Sequence, residues 1–123
     1  MGSLEIRRVG FLTIYSSNLA ASRKFYVDLL EFPLTREVSN EFFQIDIAGV
    51  PICVDLNEGE PRQNNIGLEV DDLGATVAVL RNKGLAVHPG RNPALMEEWV
   101  GVKDPDGNEI IFLTRKPAGK EKE

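Results

Sequence analysis

The two halves of the sequence follow one pattern, and this internal repeat constrains the fold more than any other feature. A shift of 54 residues superimposes similar positions: Leu12 on Ile66, Ile14 on Leu68, Asn18 on Asp72, Leu19 on Leu73 and Ala21 on Ala75. Each half predicts one strand, one helix and three further strands. Since one helix covers only one face of such a sheet, a half on its own leaves the other face without a partner. We therefore expect the two halves to associate.

The first half begins with an apolar, β-prone segment at residues 7–15, followed by Asn18 in the position of a helix cap. Apolar residues then recur at helical spacing through residue 30, and Pro33 ends the segment because proline cannot continue a helix. Runs of strand-forming residues separated by turns predict three strands, at residues 34–38, 42–47 and 52–56.

The second half repeats this order after a polar stretch that contains proline and glycine. Residues 65–70 predict a strand, and Asp72 is the expected cap of a helix at residues 73–83. Gly84 is placed to end that helix in the left-handed conformation. Three strands complete the half, at residues 85–88, 99–103 and 109–114.

This pattern predicts a single α+β domain over residues 1–123. Two βαβββ modules, at residues 6–57 and 65–114, are joined by a linker at residues 58–64 and followed by a polar tail at residues 115–123. The two modules are expected to form a curved eight-stranded mixed sheet around a cleft. A hydrophobic content of 42% suffices for a core without disulfides or a structural metal.

Charge and composition exclude several classes of partner. With 14 Lys and Arg against 19 Asp and Glu, the formal net charge is -5, which disfavours nucleic acid and anionic membrane surfaces. The single cysteine, Cys53, excludes an internal disulfide. No stretch approaches the roughly 20 apolar residues of a membrane span or the pattern of a signal peptide. We therefore expect a cytoplasmic protein.

Three sequence stretches carry a resemblance to a known family. The first module contains SSNLAASRKFYVDLLEF, and the second contains IGLEVDDLGATVAVLRNKGL followed by DPDGNEI. In this order and spacing they resemble the vicinal oxygen chelate superfamily, which includes glyoxalases, extradiol dioxygenases, and fosfomycin- and bleomycin-resistance proteins. The likeness covers residues 6–114. It implies paired βαβββ modules and a ligand site on the curved sheet.

The resemblance also implies four positions at which metal-using members hold their ion. Carried over by position, the first falls on Phe11, the third on Asn65 and the fourth on Ile111. The second falls on Cys53 or on Asp55, depending on the register assumed for the preceding hairpin. Phe11 and Ile111 have no donor atom, and an amide is a poor ligand for zinc or iron. Because a catalytic metal needs about three protein ligands, we predict a metal-free member with no cofactor.

The alternation of side chains along strands predicts which residues would line the ligand site. Thr13 and Tyr15 share the side of Phe11, and Glu69 shares the side of Asn65. Trp99 is a further candidate. Aromatic rings combined with carboxylates suit a flat, amphipathic and preferably cationic organic molecule. The predicted ligand-binding residues are Phe11, Thr13, Tyr15, Cys53, Asp55, Asn65, Glu69, Trp99 and Ile111.

Several of these side chains also have an ordinary structural interpretation. Phe11 and Ile111 can simply fill core volume, and Glu69 can lie on a solvated edge. His88 precedes Pro-Gly, which is typical of a surface loop, and a role as general base would need a partner that the sequence does not identify. Glu109, close to a turn, is expected to be exposed.

Three functions are compatible with this site. The leading hypothesis is a metal-free, non-catalytic binding protein that resembles the bleomycin-resistance branch and sequesters a small organic molecule, as in antibiotic resistance. The alternative is a metal-dependent glyoxalase-like lyase or isomerase, or a dioxygenase, with a displaced metal site built from Asp55, Glu69, Glu97 or Glu98. A third is metal-independent acid–base catalysis by Asp55 or Glu69 with Tyr15. Family members of this size commonly pair, so we also expect a homodimer.

Overall fold

The computed structural model describes residues 4–59, 63–92 and 97–114. The chain divides into two compact units, Met1–Arg62 and Gln63–Glu123, and each contains a four-stranded mixed sheet. Two similar βαβββ modules in an α+β fold confirm the predicted fold class. Backbone pairing joins the strands into two four-stranded sheets, one in each unit. The cleft and the module limits stay predictions, and the predicted polar tail lies outside the described residues.

The first unit contains a helix and four strands. Its elements are β1 (Leu12–Ser16), α1 (Leu19–Arg23), a π-helical continuation (Lys24–Leu29), β2 (Leu34–Val38), β3 (Phe42–Ile47) and β4 (Val50–Leu56). The strand order is β1-β4-β3-β2, in which β1 and β4 are parallel and the other neighbours are antiparallel. Strand β1 is shorter than predicted, because its pairing with β4 begins only at Leu12 and residues 7–10 are exposed.

The helix of the first unit begins at its predicted cap and packs on β3 and β4. The Asn18 side chain accepts a hydrogen bond from the Ala21 N–H at 3.1 Å, which satisfies one of the unpaired donors of the first turn. Two fully buried hydroxyls, Ser16 and Ser22, lie 2.6 Å apart and join β1 to the helix. The apolar core beneath the helix consists of Ile14, Phe25, Tyr26, Phe43, Ile45, Ile47, Ile52 and Val54.

The second unit repeats the arrangement. Its elements are β5 (Asn65–Glu69), α2 (Leu73–Asn82), β6 (His88–Asn92), β7 (Glu97–Lys103) and β8 (Glu109–Thr114), in the sheet order β5-β8-β7-β6. Asp72 caps α2 by accepting the Ala75 N–H at 3.0 Å, as predicted. Helix α2 packs on β7 and β8. Among the described residues, no helix has both the length and the apolar character needed to cross a membrane.

Strand β6 begins where the sequence predicts a strand to end. The predicted strand at residues 85–88 is wrong, because Leu85 still donates its N–H to Leu80 O in the turn that follows α2. Pro89 and Gly90 then lie inside β6. Proline is tolerated there because β6 is an edge strand and pairs only with β7.

The turn before β8 is a buried hydrogen-bond network. The Asp104 carboxylate accepts the Asp106 and Asn108 N–H groups at 2.9 and 2.8 Å and the Asn108 side-chain amide at 2.8 Å. The side-chain oxygen Oδ1 of Asn108 accepts the Asn64 N–H at 2.8 Å, which ties the turn to the residue preceding β5. Gly107 has a φ of 87°, a conformation that glycine adopts without strain. The network explains why this segment carries two aspartates, a glycine and an asparagine.

Candidate functional site

Each sheet has one face beneath its helix and one face away from it. On β1, the side chains of Ile14 and Ser16 are buried toward the helix, whereas Thr13 and Tyr15 alternate with them and are half-buried on the other side. We call the sides away from the helices helix-free face 1, in the first unit, and helix-free face 2, in the second. The side chains of helix-free face 1 are Thr13, Tyr15, Arg36, Val38, Phe42, Gln44, Cys53 and Asp55.

The strand register arranges helix-free face 1 in rows. One row consists of Thr13, Cys53, Gln44 and Arg36, and the next consists of Tyr15, Asp55, Phe42 and Val38. Four sequence-predicted site residues, from β1 and β4, are therefore brought together. Their neighbours from β2 and β3 were not predicted from the sequence, although the alternation of half-buried and buried positions in FFQIDI could have indicated those of β3.

Cys53 lies in the middle of its row, and its thiol donates a hydrogen bond to a neighbouring side chain. Its Sγ donates to Gln44 Oε1 at 3.5 Å. Burial raises the pKa of the Cys53 thiol, and the negative charge of Asp55 raises this pKa further, while the positive charge of Arg36 acts in the opposite direction. The thiolate is therefore disfavoured, and Cys53 is a poor nucleophile and a poor soft-metal ligand.

Asp55 carries a charge that no described residue compensates directly. It is half-buried, and no hydrogen bond or ion pair joins its carboxylate to any residue in the described ranges. Its row neighbours are the aromatic residues Tyr15 and Phe42. The Arg36 guanidinium lies 5.8 Å from the centroid of the Phe42 ring, in a cation–π contact rather than an ion pair.

Helix-free face 2 has a different composition in the same framework. The strand register arranges its side chains in three rows. The first row is Gly67, Ile111, Gly101 and His88, and the second is Glu69, Leu113, Trp99 and Gly90. The third row contains Asn65, Glu109 and Lys103. Asn65 and Glu69 are exposed, and Trp99 and Ile111 are half-buried.

Phe11, which was expected on the first strand, precedes β1 and is 60% exposed, so its interpretation as a core residue is wrong.

On helix-free face 2, a close contact joins two residues that were predicted from the sequence to lie on the surface. His88 Nε2 lies 2.6 Å from Glu109 Oε2, although the ring N–H is not well aligned with this oxygen. The His88 ring also contacts the Trp99 ring edge-on, with 6.2 Å between the centroids. The expectation that Glu109 is exposed is wrong, because only 19% of its side chain is accessible.

The strand register decides which residue of β4 corresponds to the second metal position. Thr13 pairs with Cys53, and its repeat equivalent Gly67 pairs with Ile111. Cys53, and not Asp55, is therefore the counterpart of Ile111.

The donor set at the four family positions does not fit a metal ion. Phe11 and Ile111 offer no donor atom, Asn65 offers a weak one, and the raised pKa of Cys53 disfavours the thiolate that would bind. Within residues 4–59, 63–92 and 97–114, no three His, Cys, Asp or Glu side chains form a group that could hold a metal. No chemical step through a metal is therefore derived for this chain.

The family is decided by a sequence model that matches most of the chain. The model of the Glyoxalase/Bleomycin resistance protein/Dioxygenase superfamily matches residues 8–112. The chain belongs to this superfamily. No curated protein matches the sequence at a significant level.

Several solved structures share the fold of this chain at low sequence identity. Lactoylglutathione lyase from Agrobacterium tumefaciens has a TM-score of 0.77 at 16% identity, covering 94% of this chain and 98% of its own. A glyoxalase/bleomycin resistance protein/dioxygenase from Nocardioides has a TM-score of 0.77 at 15% identity, covering 96% and 89%. An integron cassette protein from the Halifax Harbour sewage outfall metagenome has a TM-score of 0.76 at 18% identity, covering 89% and 99%. At these identities the likeness establishes the fold alone.

The charges on helix-free face 1 make the reactivity of Cys53 a direct probe of this site. Asp55→Asn is expected to speed alkylation of Cys53 by iodoacetamide at neutral pH by roughly two- to threefold, because removing the negative charge lowers the pKa of the thiol. Arg36→Gln is expected to slow it by a similar factor. Since Cys53 is the only cysteine, the rate of mass increase reports this residue alone. Changes of the same sign in both variants would contradict the electrostatic description.

Proposed function

We propose that the protein binds a small, cationic and amphipathic organic molecule on helix-free face 1, without a resident metal and without catalysing a reaction. The observation that carries this proposal is the Asp55 carboxylate, which is half-buried and lacks a described partner. A carboxylate withdrawn from water without a partner is destabilising, and a bound cation would offset that cost. The aromatic neighbours Tyr15 and Phe42 add apolar contact area and cation–π attraction.

The family context supports binding without chemistry. Three of the four positions at which metal-using relatives hold an ion carry Phe11, Asn65 and Ile111, and the fourth carries a thiol held in its neutral form. One of the similar structures is named a glyoxalase/bleomycin resistance protein/dioxygenase, and the proposed role corresponds to the resistance branch of that name. Sequestration of a toxic compound requires affinity but no reacting group.

The proposal is tested by titrating the purified protein with cationic aromatic compounds, beginning with benzamidine, and with benzamide as a nearly isosteric neutral control. We expect benzamidine to raise the thermal midpoint and to bind measurably by calorimetry, whereas benzamide binds more weakly on helix-free face 1. Equal binding of the two probes on that face would contradict the proposal.

Metal analysis separates the proposal from the metal-dependent alternative. Protein purified without chelator is expected to contain well under one equivalent of transition metal, and added EDTA is expected to leave benzamidine binding unchanged. Stoichiometric zinc, nickel, manganese or iron would replace the proposed binding function with a lyase or dioxygenase function.

We further propose that the protein is a homodimer. Several apolar side chains near the amino terminus are strongly exposed, among them Leu4, Ile6, Val9, Phe11 and Leu12. Exposed apolar patches often mark interaction surfaces. Sedimentation is expected to give twice the chain mass of 13.6 kDa, and a mass equal to one chain would contradict the dimer.

A further inference from the structure

Helix-free face 1 carries a positive charge as well as the negative charge of Asp55. Arg36, on β2, belongs to this face and is exposed. Within the described residues, no hydrogen bond or ion pair joins its guanidinium to an acidic side chain. The face therefore presents two opposite charges that do not neutralise each other by direct contact.

The strand register places these two charges on different strands and in different rows. Asp55 lies on β4 in the row of Phe42, and Arg36 lies on β2 in the row of Cys53. Two strand spacings and one side-chain repeat separate their Cβ atoms by roughly 12 Å. The backbone thus holds the carboxylate and the guanidinium apart, and a molecule lying across the face can reach both.

The Phe42 ring defines the direction of the Arg36 side chain. The guanidinium lies 5.8 Å from the ring centroid, and Phe42 is directly opposite Asp55 on the neighbouring strand. The other acid on this side of β3, Asp46, lies in the opposite direction along the strand and accepts the N–H of Gly49 at 3.1 Å. Arg36 is therefore directed toward the row that contains the Asp55 carboxylate.

The guanidinium keeps the hydrogen-bonding groups that an acidic ligand would need. Its cation–π contact with Phe42 uses none of its N–H groups as donors to an acid, and those donors match the two oxygens of a carboxylate. Both charges also act on the thiol between them. Burial raises the pKa of Cys53, the charge of Asp55 raises it further, and the charge of Arg36 lowers it. The two charges thus belong to one patch of the face.

We propose that the ligand of helix-free face 1 is dipolar, with a cationic group that binds Asp55 and a carboxylate that binds Arg36. Its chemical class is a small molecule in which a flat body joins an amine or amidine to an acid. The flat body packs along Phe42. This inference rests on the proposed function, since it keeps the cation at Asp55 and adds a second charged group. All of these contacts lie within the first unit.

Two probes that differ only in the group opposite the amidine test the acidic part of the ligand. They are 4-amidinobenzoate, which carries a carboxylate, and 4-amidinobenzamide, which carries a neutral amide of nearly the same shape. We expect calorimetry to give the acid a roughly two- to fivefold higher affinity than the amide, the range of an exposed ion pair. An affinity of the acid equal to or below that of the amide would overturn the proposal.

The Arg36→Gln variant identifies the group that recognises the acid. We expect the ratio of the two affinities to fall to about one or below, because the carboxylate then lacks its partner and lies near Asp55. Arg23→Gln is the matched control. It removes the same charge from the helix side of the first unit, where Arg23 Nε lies 3.0 Å from Glu37 Oε2. Equal ratios in the two variants would overturn the role of Arg36.

The place of binding is reported by Cys53, the only cysteine of the chain. It lies in the row of Arg36 and next to Asp55 on the same side of β4. Saturating 4-amidinobenzoate is expected to slow its alkylation by iodoacetamide, because the probe covers the thiol and its two charges have opposing effects on the thiol pKa. Calorimetric binding without any protection of Cys53 would place the probe elsewhere and overturn the assignment.

The outcomes separate this inference from the proposed function. If benzamidine binding depends on Asp55 but the ratio of acid to amide affinity does not depend on Arg36, the dipolar ligand is wrong and the proposed function stands. If benzamidine binding does not change in Asp55→Asn, the proposed function falls and this inference falls with it.

Discussion

Asp55→Asn is expected to weaken the binding of benzamidine to helix-free face 1 by at least about tenfold, or about 1.4 kcal/mol. The substitution keeps the shape of the side chain and removes its charge, and hydrogen bonds to charged groups are the stronger kind. Since the carboxylate has no described partner, its neutralisation leaves no group orphaned, and we expect the thermal midpoint to hold or rise slightly. Calorimetric titration and thermal unfolding of the same samples measure both effects.

Arg36→Gln is the control for this experiment, because we expect it to change the affinity for benzamidine in the opposite direction. The guanidinium lies over the Phe42 ring and places a positive charge on the same face, so its removal is expected to strengthen benzamidine binding. Because Arg36 is exposed and screened, the gain is expected to be only about two- to threefold. A loss of affinity in both variants would indicate that the probe binds elsewhere.

Asn108→Ala is expected to lower the free energy of unfolding by about 2 to 4 kcal/mol. Asn108 is fully buried, and its side chain bonds both the Asn64 N–H and the Asp104 carboxylate at 2.8 Å. The truncation removes the acceptor of the part-buried Asn64 N–H and one of the three donors to the buried Asp104 carboxylate, which costs more than the loss of a solvated hydrogen bond. Urea unfolding monitored by Trp99 fluorescence and by circular dichroism gives the magnitude.

The matched control is Asn82→Ala, at the end of α2. Asn82 is exposed, and no hydrogen bond of its side chain is formed among the described residues. We expect its unfolding free energy to remain within about 0.5 kcal/mol of that of the unaltered protein. Equal losses in the two variants would show that the buried turn does not depend on the Asn108 contacts.

Local signals in the sequence were sufficient for most elements of the fold. The internal repeat predicts the paired modules, and Asn18 and Asp72 mark the helix starts because a short polar side chain there satisfies an N–H of the first turn. The π-helical turn Lys24–Leu29 carried no such signal. Strand β6 was misplaced because Pro89 was taken as the end of a strand. Proline disrupts a strand only where its missing N–H would pair with a neighbouring strand, and β6 lies at the edge of its sheet. Whether a strand lies at an edge depends on the pairing of the whole sheet, which a short segment of sequence does not show.

The candidate site was only partly predictable, because it depends on pairing between strands. Alternation along β1 and β4 brought Thr13, Tyr15, Cys53 and Asp55 to one face, since side-chain direction is a property of a single strand. The choice between Cys53 and Asp55 required the register of β1 against β4. The contact of His88 with Glu109 spans β6, β7 and β8, so no short segment of sequence contains it.

The edge position of β6 has a consequence for behaviour at high protein concentration. Pro89 replaces an amide donor within the outermost strand of the second sheet, so another polypeptide approaching that border finds an interrupted hydrogen-bonding ladder. The same residue that misled the placement of this strand is therefore expected to disfavour the addition of a further strand along β6.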